Sequence, residues 1–158
     1  MDLKKLTTGE WVTAVSGVLL LIFSFFHWYS VDIGPFSVSR NGWQSPDAFW
    51  SVVAILIGIV LAAHVIVNKL AGVDMPERMG SVGWGVVHLA GGVIAFVFIL
   101  IKWLSNTDFV SFGLYASLVC ALGLAVGGYL MARERGELPQ ALGGAGGATP
   151  PSSPPPTA

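Results

Sequence analysis

Residues 82–104 read VGWGVVHLAGGVIAFVFILIKWL, an apolar run whose ionisable residues are one histidine and one lysine. Its length exceeds the ~20 residues with which an α-helix crosses the hydrocarbon layer of a bilayer. The run shows no alternation of polar and apolar residues, which a strand of a membrane barrel requires. Because only a helix pairs all its backbone groups within one such segment, the run predicts a transmembrane helix.

Three more runs, at about 11–31, 48–68 and 109–132, have the same character. Together they predict an all-α fold: an antiparallel four-helix bundle in the membrane, with a short structured outer loop between helices 1 and 2. The first run ends in FFHWYS and lacks a small-residue cleavage site, so we interpret it as a retained helix and not a signal peptide.

The composition excludes several classes of protein. Of the 158 residues, 54% are hydrophobic and only 11% charged, against about 25% charged in soluble domains, which excludes an ordinary soluble enzyme. A net charge of −1 argues against nucleic-acid binding by bulk charge. A single cysteine excludes an intrachain disulfide and a CxxC redox pair.

The basic residues set the expected orientation in the cell membrane. With both termini on one side, six basic residues lie on that side and two on the other, so the N- and C-termini are predicted to be cytoplasmic. The six are Lys4, Lys5, Lys69, Arg78, Arg133 and Arg135, and the two are Arg40 and Lys102. Residues 1–10 then form a cytoplasmic segment, in which Thr7 and Glu10 have capping-box spacing. Residues 133–158, rich in glycine and proline, are expected to be a disordered cytoplasmic tail.

Small residues recur every three or four positions along each span. Such a seam lets two helix backbones approach closely and gain dispersion contact. The packing glycines are predicted to be Gly92 on the third helix and Gly113, Gly123 and Gly127 on the fourth, where Leu124 is expected to face lipid. The seam of the fourth helix has a second interpretation as a dimer face.

Few ionisable groups lie within the spans, and none is an acid, which argues against proton-coupled antiport through a membrane carboxylate. His64 and His88 lie at similar depth and are the candidate cofactor-binding residues, for haem, a metal or proton transfer. In the alternative interpretation each imidazole simply bonds a carbonyl. His27 and Lys102 are expected to snorkel to the interface. No catalytic constellation and no metal site is predicted.

The outer loop, DIGPFSVSRNGWQSPD at 32–47, is the one loop with room for structure. Phe36–Val38 is predicted to pair with Tyr29–Ile33 as a small hairpin. Phe36, Arg40 and Trp43 are the candidate interaction residues, because loops often carry function and these residue types are common in binding hot spots. Trp43 has a second interpretation as an interfacial anchor, and the tryptophans and tyrosines near the span ends, Trp28 and Tyr29 among them, fit an aromatic belt.

The four spans, the segment Asn41-Gly42-Trp43-Gln44 and the Gly/Pro tail resemble small actinobacterial four-transmembrane-helix proteins of unknown function. The resemblance covers about residues 11–132, mainly as topology, and implies a fold but no activity.

The expected function is that of a non-enzymatic integral membrane protein, an accessory subunit or interaction scaffold without a cofactor. Its expected partners are the lipid bilayer and a membrane protein or a second copy of the chain, with no nucleic acid. Two alternatives stay open: a small haem- or proton-handling redox subunit using His64 and His88, and a small oligomeric transporter or channel.

Overall fold

A computed structural model describes residues 6–44, 47–69, 71–73, 78–79 and 82–138. Within them the chain is mostly helical, as the sequence predicts. Three of the helices are long and apolar enough to cross a membrane, and the first is a shorter apolar helix. The helices are α1 (Thr8–Ser24), α2 (Ala48–Lys69), α3 (Trp84–Ser105) and α4 (Phe112–Glu134).

The four helices pack in a ring in chain order, and α4 closes the ring against α1. The start of α1 lies beside the end of α4, where Gly9 approaches the backbone of Met131, so these two helices are antiparallel. One end of the bundle, the basic end, gathers the start of α1, the ends of α2 and α4 and the start of α3. The opposite end, the hairpin end, holds the α1–α2 connection.

The first helix differs from the predicted span 11–31 at both ends. It begins at Thr8 with the predicted capping box, in which Thr7 Oγ1 accepts from Glu10 N and the Glu10 carboxylate accepts from Thr7 N. It ends at Ser24, although the apolar sequence continues. The physical reason is Trp28, whose indole N–H donates to Phe23 O at 2.9 Å and turns the chain back on the helix end.

The predicted hairpin is confirmed and is longer than expected. Strand β1 (Tyr29–Ile33) pairs antiparallel with β2 (Phe36–Arg40), and Gly34 takes the positive φ that the turn between them requires. The α3–α4 connection adds backbone contacts to β1, through a bridge from Tyr29 to Val110. Therefore α4 begins at Phe112 and not at residue 109. A second, unpredicted pair of short strands, β3 (Arg78–Met79) and β4 (Val82–Gly83), precedes α3.

The small-residue seams lie between helices of the same chain. A Cβ at Gly92 would lie 2.5 Å from Ala125 N on α4, and Gly113 lies against the carbonyl of His27. Gly123 and Gly127 lie against α1, where they contact Ser16 and Thr13. The helices therefore approach so closely at these glycines that no side chain fits between them.

Helix α4 packs against both α1 and α3. Leu124 is for that reason fully buried, and the expectation that it faces lipid is wrong. The helix also runs past residue 132, and residues 133–138 are structured: Glu137 accepts a hydrogen bond from Val86 N at the start of α3. The rest of the predicted tail, from Pro139, lies outside the described residues, as do Lys4 and Lys5.

Candidate functional site

The hairpin has one apolar and one polar face. In the register Val31 lies opposite Val38 and Ile33 opposite Phe36, so these four side chains share a face. The pairs Ser30–Ser39 and Asp32–Ser37 make up the other face. On the apolar face Phe36 is 74% exposed, Ile33 71% and Val38 58%. The hairpin thus presents an exposed apolar surface.

The base of the hairpin is fixed by Trp28, which is fully buried. Its backbone N–H donates to Arg40 O and its carbonyl accepts from Ser111 N, both at 2.8 Å. Gly42 packs against the indole so closely that a Cβ on this residue would lie 2.8 Å from the ring atom Cζ2. The base therefore joins the end of α1, the end of β2 and the start of α4.

A cavity of about 310 Å³ opens beside the apolar face, between the hairpin and the α3–α4 connection. Tyr29, Val31 and Arg40 line one side, and residues 105–109 line the other. Phe109 in this wall has a positive φ of 62°, which an L-residue with a large side chain rarely adopts. Burial of the Tyr29 hydroxyl, with a smaller effect of the Asp47 carboxylate, raises the pKa of Tyr29 to about 12.

The three predicted interaction residues occupy different positions. Phe36 lies at the exposed tip and Arg40 at the cavity wall on the same face. Trp43 is partly buried at the base: its indole N–H donates to Ser24 Oγ at 2.9 Å and its ring stacks on Phe25. These contacts give Trp43 a structural role at the base of the hairpin.

Lys102 does not snorkel. It is fully buried at the hairpin end, with Nζ 5.9 Å from the Trp28 ring centroid and 5.7 Å from that of Tyr29. Rings at this distance attract a cation through their quadrupoles. The snorkelling prediction fails because the aromatic rings that cover Lys102 come from a distant part of the chain. His27, by contrast, is exposed.

At the basic end a carboxylate is buried within helix α1. Glu10 is 2% exposed, and its Oε1 lies 2.9 Å from Arg135 Nη2 and 3.5 Å from Lys69 Nζ. Helix α1 begins three residues before the predicted span, so Glu10 lies in its first turn and not in an irregular segment. The three side chains tie the start of α1 to the ends of α2 and α4.

His64 and His88 meet above this ion cluster, with ring centroids 5.0 Å apart. His88 is fully buried, and its Nδ1 and Nε2 lie 2.8 Å from Trp84 O and 3.3 Å from Leu61 O. His64 stacks on Trp84 at 3.9 Å, and neither of its buried ring nitrogens has a hydrogen-bond partner among the described residues. The carbonyl-bonded interpretation thus holds for His88 and is wrong for His64.

This pair does not suit a haem. Axial ligation would need a ring nitrogen of each histidine directed at the iron, and both nitrogens of His88 already contact carbonyls. No group of three or more potential metal ligands occurs in the part of the chain that the structure describes. A neutral His88 donates to only one of the two carbonyls, whereas a protonated imidazole would donate to both.

Sequence reasoning missed Glu10, Trp28 and Lys102 as site residues. Of these three, only Glu10 is recognisable from the sequence, because its capping-box spacing from Thr7 predicts a place in the first turn of a helix. Trp28 and Lys102 acquire their roles from contacts between segments that are far apart in the chain.

No protein-family model, no curated protein and no solved structure matches the chain.

Proposed function

We propose that the protein is a non-enzymatic accessory or scaffold protein of the cell membrane, which binds a partner membrane protein through the apolar face of its outer hairpin. In this proposal all four helices cross the bilayer. The 17 residues of α1 correspond to about 25 Å at 1.5 Å per residue, which is at the short end of the range for a span. Both termini are cytoplasmic, in keeping with the excess of basic residues at the basic end.

The observation that carries the proposal is the uncovered apolar face of the hairpin. Exposed apolar side chains on the helices need no partner, because lipid covers them. Ile33, Phe36 and Val38 lie on strands outside the helices, where an exposed apolar patch typically marks a binding surface. The rigid base at Trp28 supports this interpretation, since a preordered surface loses little entropy on binding.

The partner we propose is an extracytoplasmic segment of another integral membrane protein, with apolar side chains and an extended backbone. Strand β2 pairs on one side with β1 and has no other strand partner among the described residues. An edge strand of this kind accepts an added strand through its backbone groups, while the apolar side chains give specificity.

Photo-crosslinking in native membranes tests this proposal. A benzophenone side chain is placed at Phe36 on the apolar face and, as the matched control, at Ser37 on the polar face. We expect a discrete protein adduct from position 36 and little or none from position 37. Equal adducts from both positions, or lipid adducts alone from position 36, would overturn the proposal.

Point variants separate recognition from folding. Phe36→Ser is expected to abolish co-purification of the crosslinked partner, whereas Ser37→Ala retains it. Arg40→Ala is expected to weaken binding of the partner, because it removes a side chain from the wall of the cavity. Trp43→Ala acts indirectly, by loosening the base, and is therefore expected to lower stability as well.

Proton handling at His64 and His88 is the second candidate function. The buried, unpartnered nitrogens of His64 favour it, and both imidazoles lie within electrostatic range of Glu10 and Arg135. Proton flux into liposomes that contain the purified protein, lost in His64→Gln, would establish it. A Soret band in the purified protein would instead establish the haem alternative, and solute flux in the same liposomes would establish a transporter or channel.

A further inference from the structure

A groove runs along the outer surface of α1 beside α2, towards the basic end. Its volume is about 270 Å³, and its walls expose no polar surface. The groove residues of α1 recur every three or four positions, so they lie on one face of that helix. This face is turned away from the bundle. The lining residues are Leu6, Trp11, Ala14, Val15, Val18, Leu19 and Ile66. The shape and chemistry of the groove suit a hydrocarbon chain.

A cation lies just beyond the groove. Lys69 follows Ile66 by one helical turn on the same face of α2, and its side chain is 34% exposed. Two more lysines, Lys4 and Lys5, directly precede the groove residue Leu6 in the sequence. Trp11 in the groove wall is a residue type that favours the level of the lipid headgroups.

The ion cluster leaves Lys69 able to bind a second anion. Glu10 Oε1 has two cationic partners, and Arg135 is the closer one, at 2.9 Å against 3.5 Å for Lys69. If Lys69 turns outward, Arg135 still compensates the buried carboxylate. Lys69 can therefore pair with an external phosphate without leaving Glu10 unpaired.

We infer that this groove binds an anionic phospholipid, with one acyl chain along α1 and the headgroup phosphate on Lys69. The inference rests on the proposed placement of α1 in the membrane, and it is independent of the hairpin and its partner. A lysine near the membrane surface contributes about 1 kcal/mol towards an anionic headgroup, which corresponds to about a fivefold preference over a zwitterionic one.

Native mass spectrometry of the full chain in mild detergent tests this inference. Phosphatidylglycerol, phosphatidylcholine with the same acyl chains, and inorganic phosphate are each added to the protein. We expect about fivefold more phosphatidylglycerol than phosphatidylcholine adduct, and no adduct with inorganic phosphate. Equal retention of the two lipids, or binding of phosphate alone, would overturn the inference.

Matched variants locate the site. Lys69→Gln is expected to lower phosphatidylglycerol retention to the phosphatidylcholine level, Lys69→Arg to keep it, and Ala14→Phe to lower retention of both lipids by filling the groove. Arg133→Gln, on the exposed side of α4 at the same end, is expected to change nothing. Equal loss in Lys69→Gln and Arg133→Gln would show a diffuse charge effect and refute the site. Since the Phe36 crosslink depends on neither variant, the two proposals can fail separately.

Discussion

At the hairpin end the indole of Trp28 is fully buried, and all the polar groups of this residue bond backbone partners. At the basic end the buried group is the carboxylate of Glu10, and its partners are cationic side chains from two other helices. Backbone hydrogen bonds and ring packing need no counter-charge and respond little to salt. The two cations that pair with Glu10 are about one-third exposed. Salt therefore screens these ion pairs, and a cation can exchange its anionic partner. The first end suits a rigid platform and the second a surface that exchanges ligands.

Trp28→Ala is the largest perturbation we expect. It leaves a cavity where the indole contacts Phe23, Gly42 and Gly113, and loss of a buried aromatic side chain costs about 3–5 kcal/mol in the free energy of unfolding. Equilibrium unfolding in detergent measures this loss. The matched control is Trp11→Ala on the exposed side of α1, which we expect to cost less than about 1 kcal/mol. Similar losses of unfolding free energy in the two variants would show that Trp28 stabilises the fold no more than an exposed tryptophan does.

Glu10→Gln tests the ionic character of the basic end. The substitution leaves Arg135 and Lys69 facing a neutral amide, and we expect a loss of about 1–3 kcal/mol, below the value for a fully buried pair because both cations are partly exposed. Asp32→Asn, at an exposed position on the polar face of the hairpin, is the control. In the double variant Glu10→Gln with Arg135→Gln part of the loss should be recovered, and purely additive losses would contradict the pairing.

Alkaline titration gives the smallest expected effect and is specific to the hairpin end. The raised pKa of Tyr29 means that the folded protein keeps this proton where the unfolded chain has lost it. Its contribution to stability is complete below pH 10 and declines as the pH rises from 10 to about 12. The free energy of unfolding of the parent should therefore fall more over this pH interval than that of Tyr29→Phe. Parallel pH profiles of the two proteins would argue against a buried hydroxyl.

The sequence predicted those features that depend on local spacing. The seam on α3 was readable from Gly85, His88, Gly92 and Ala95, all of which are buried, because a helix repeats its faces every 3.6 residues. The capping box at Thr7 and Glu10 was readable for the same reason. The similar depth of His64 and His88 allows their rings to meet, but their positions on different helix faces argue against it, and the contact is seen only in the structure.

The remaining features depend on contacts between distant segments. Hydropathy placed the end of the first helix near residue 31, since it does not register the hydrogen bond from Trp28 to Phe23 that reverses the chain. Lys102 was expected at the surface, because nothing in its neighbourhood shows that Trp28 and Tyr29 cover it. Leu124 was assigned to lipid because the sequence does not reveal that α4 packs against two neighbours at once.

The closure of α1 against α4 sets an order of assembly during synthesis. The ribosome delivers Glu10 before helices α2 to α4 and Arg135 only after them, and Ser111, which bonds the Trp28 carbonyl, is also made after α3. Until then the nascent chain holds the Glu10 carboxylate without its closest counter-ion, and the base of the hairpin is incomplete. Chains truncated before α4 therefore retain only Lys69 as a cationic partner of Glu10, and their Trp28 carbonyl lacks its donor Ser111.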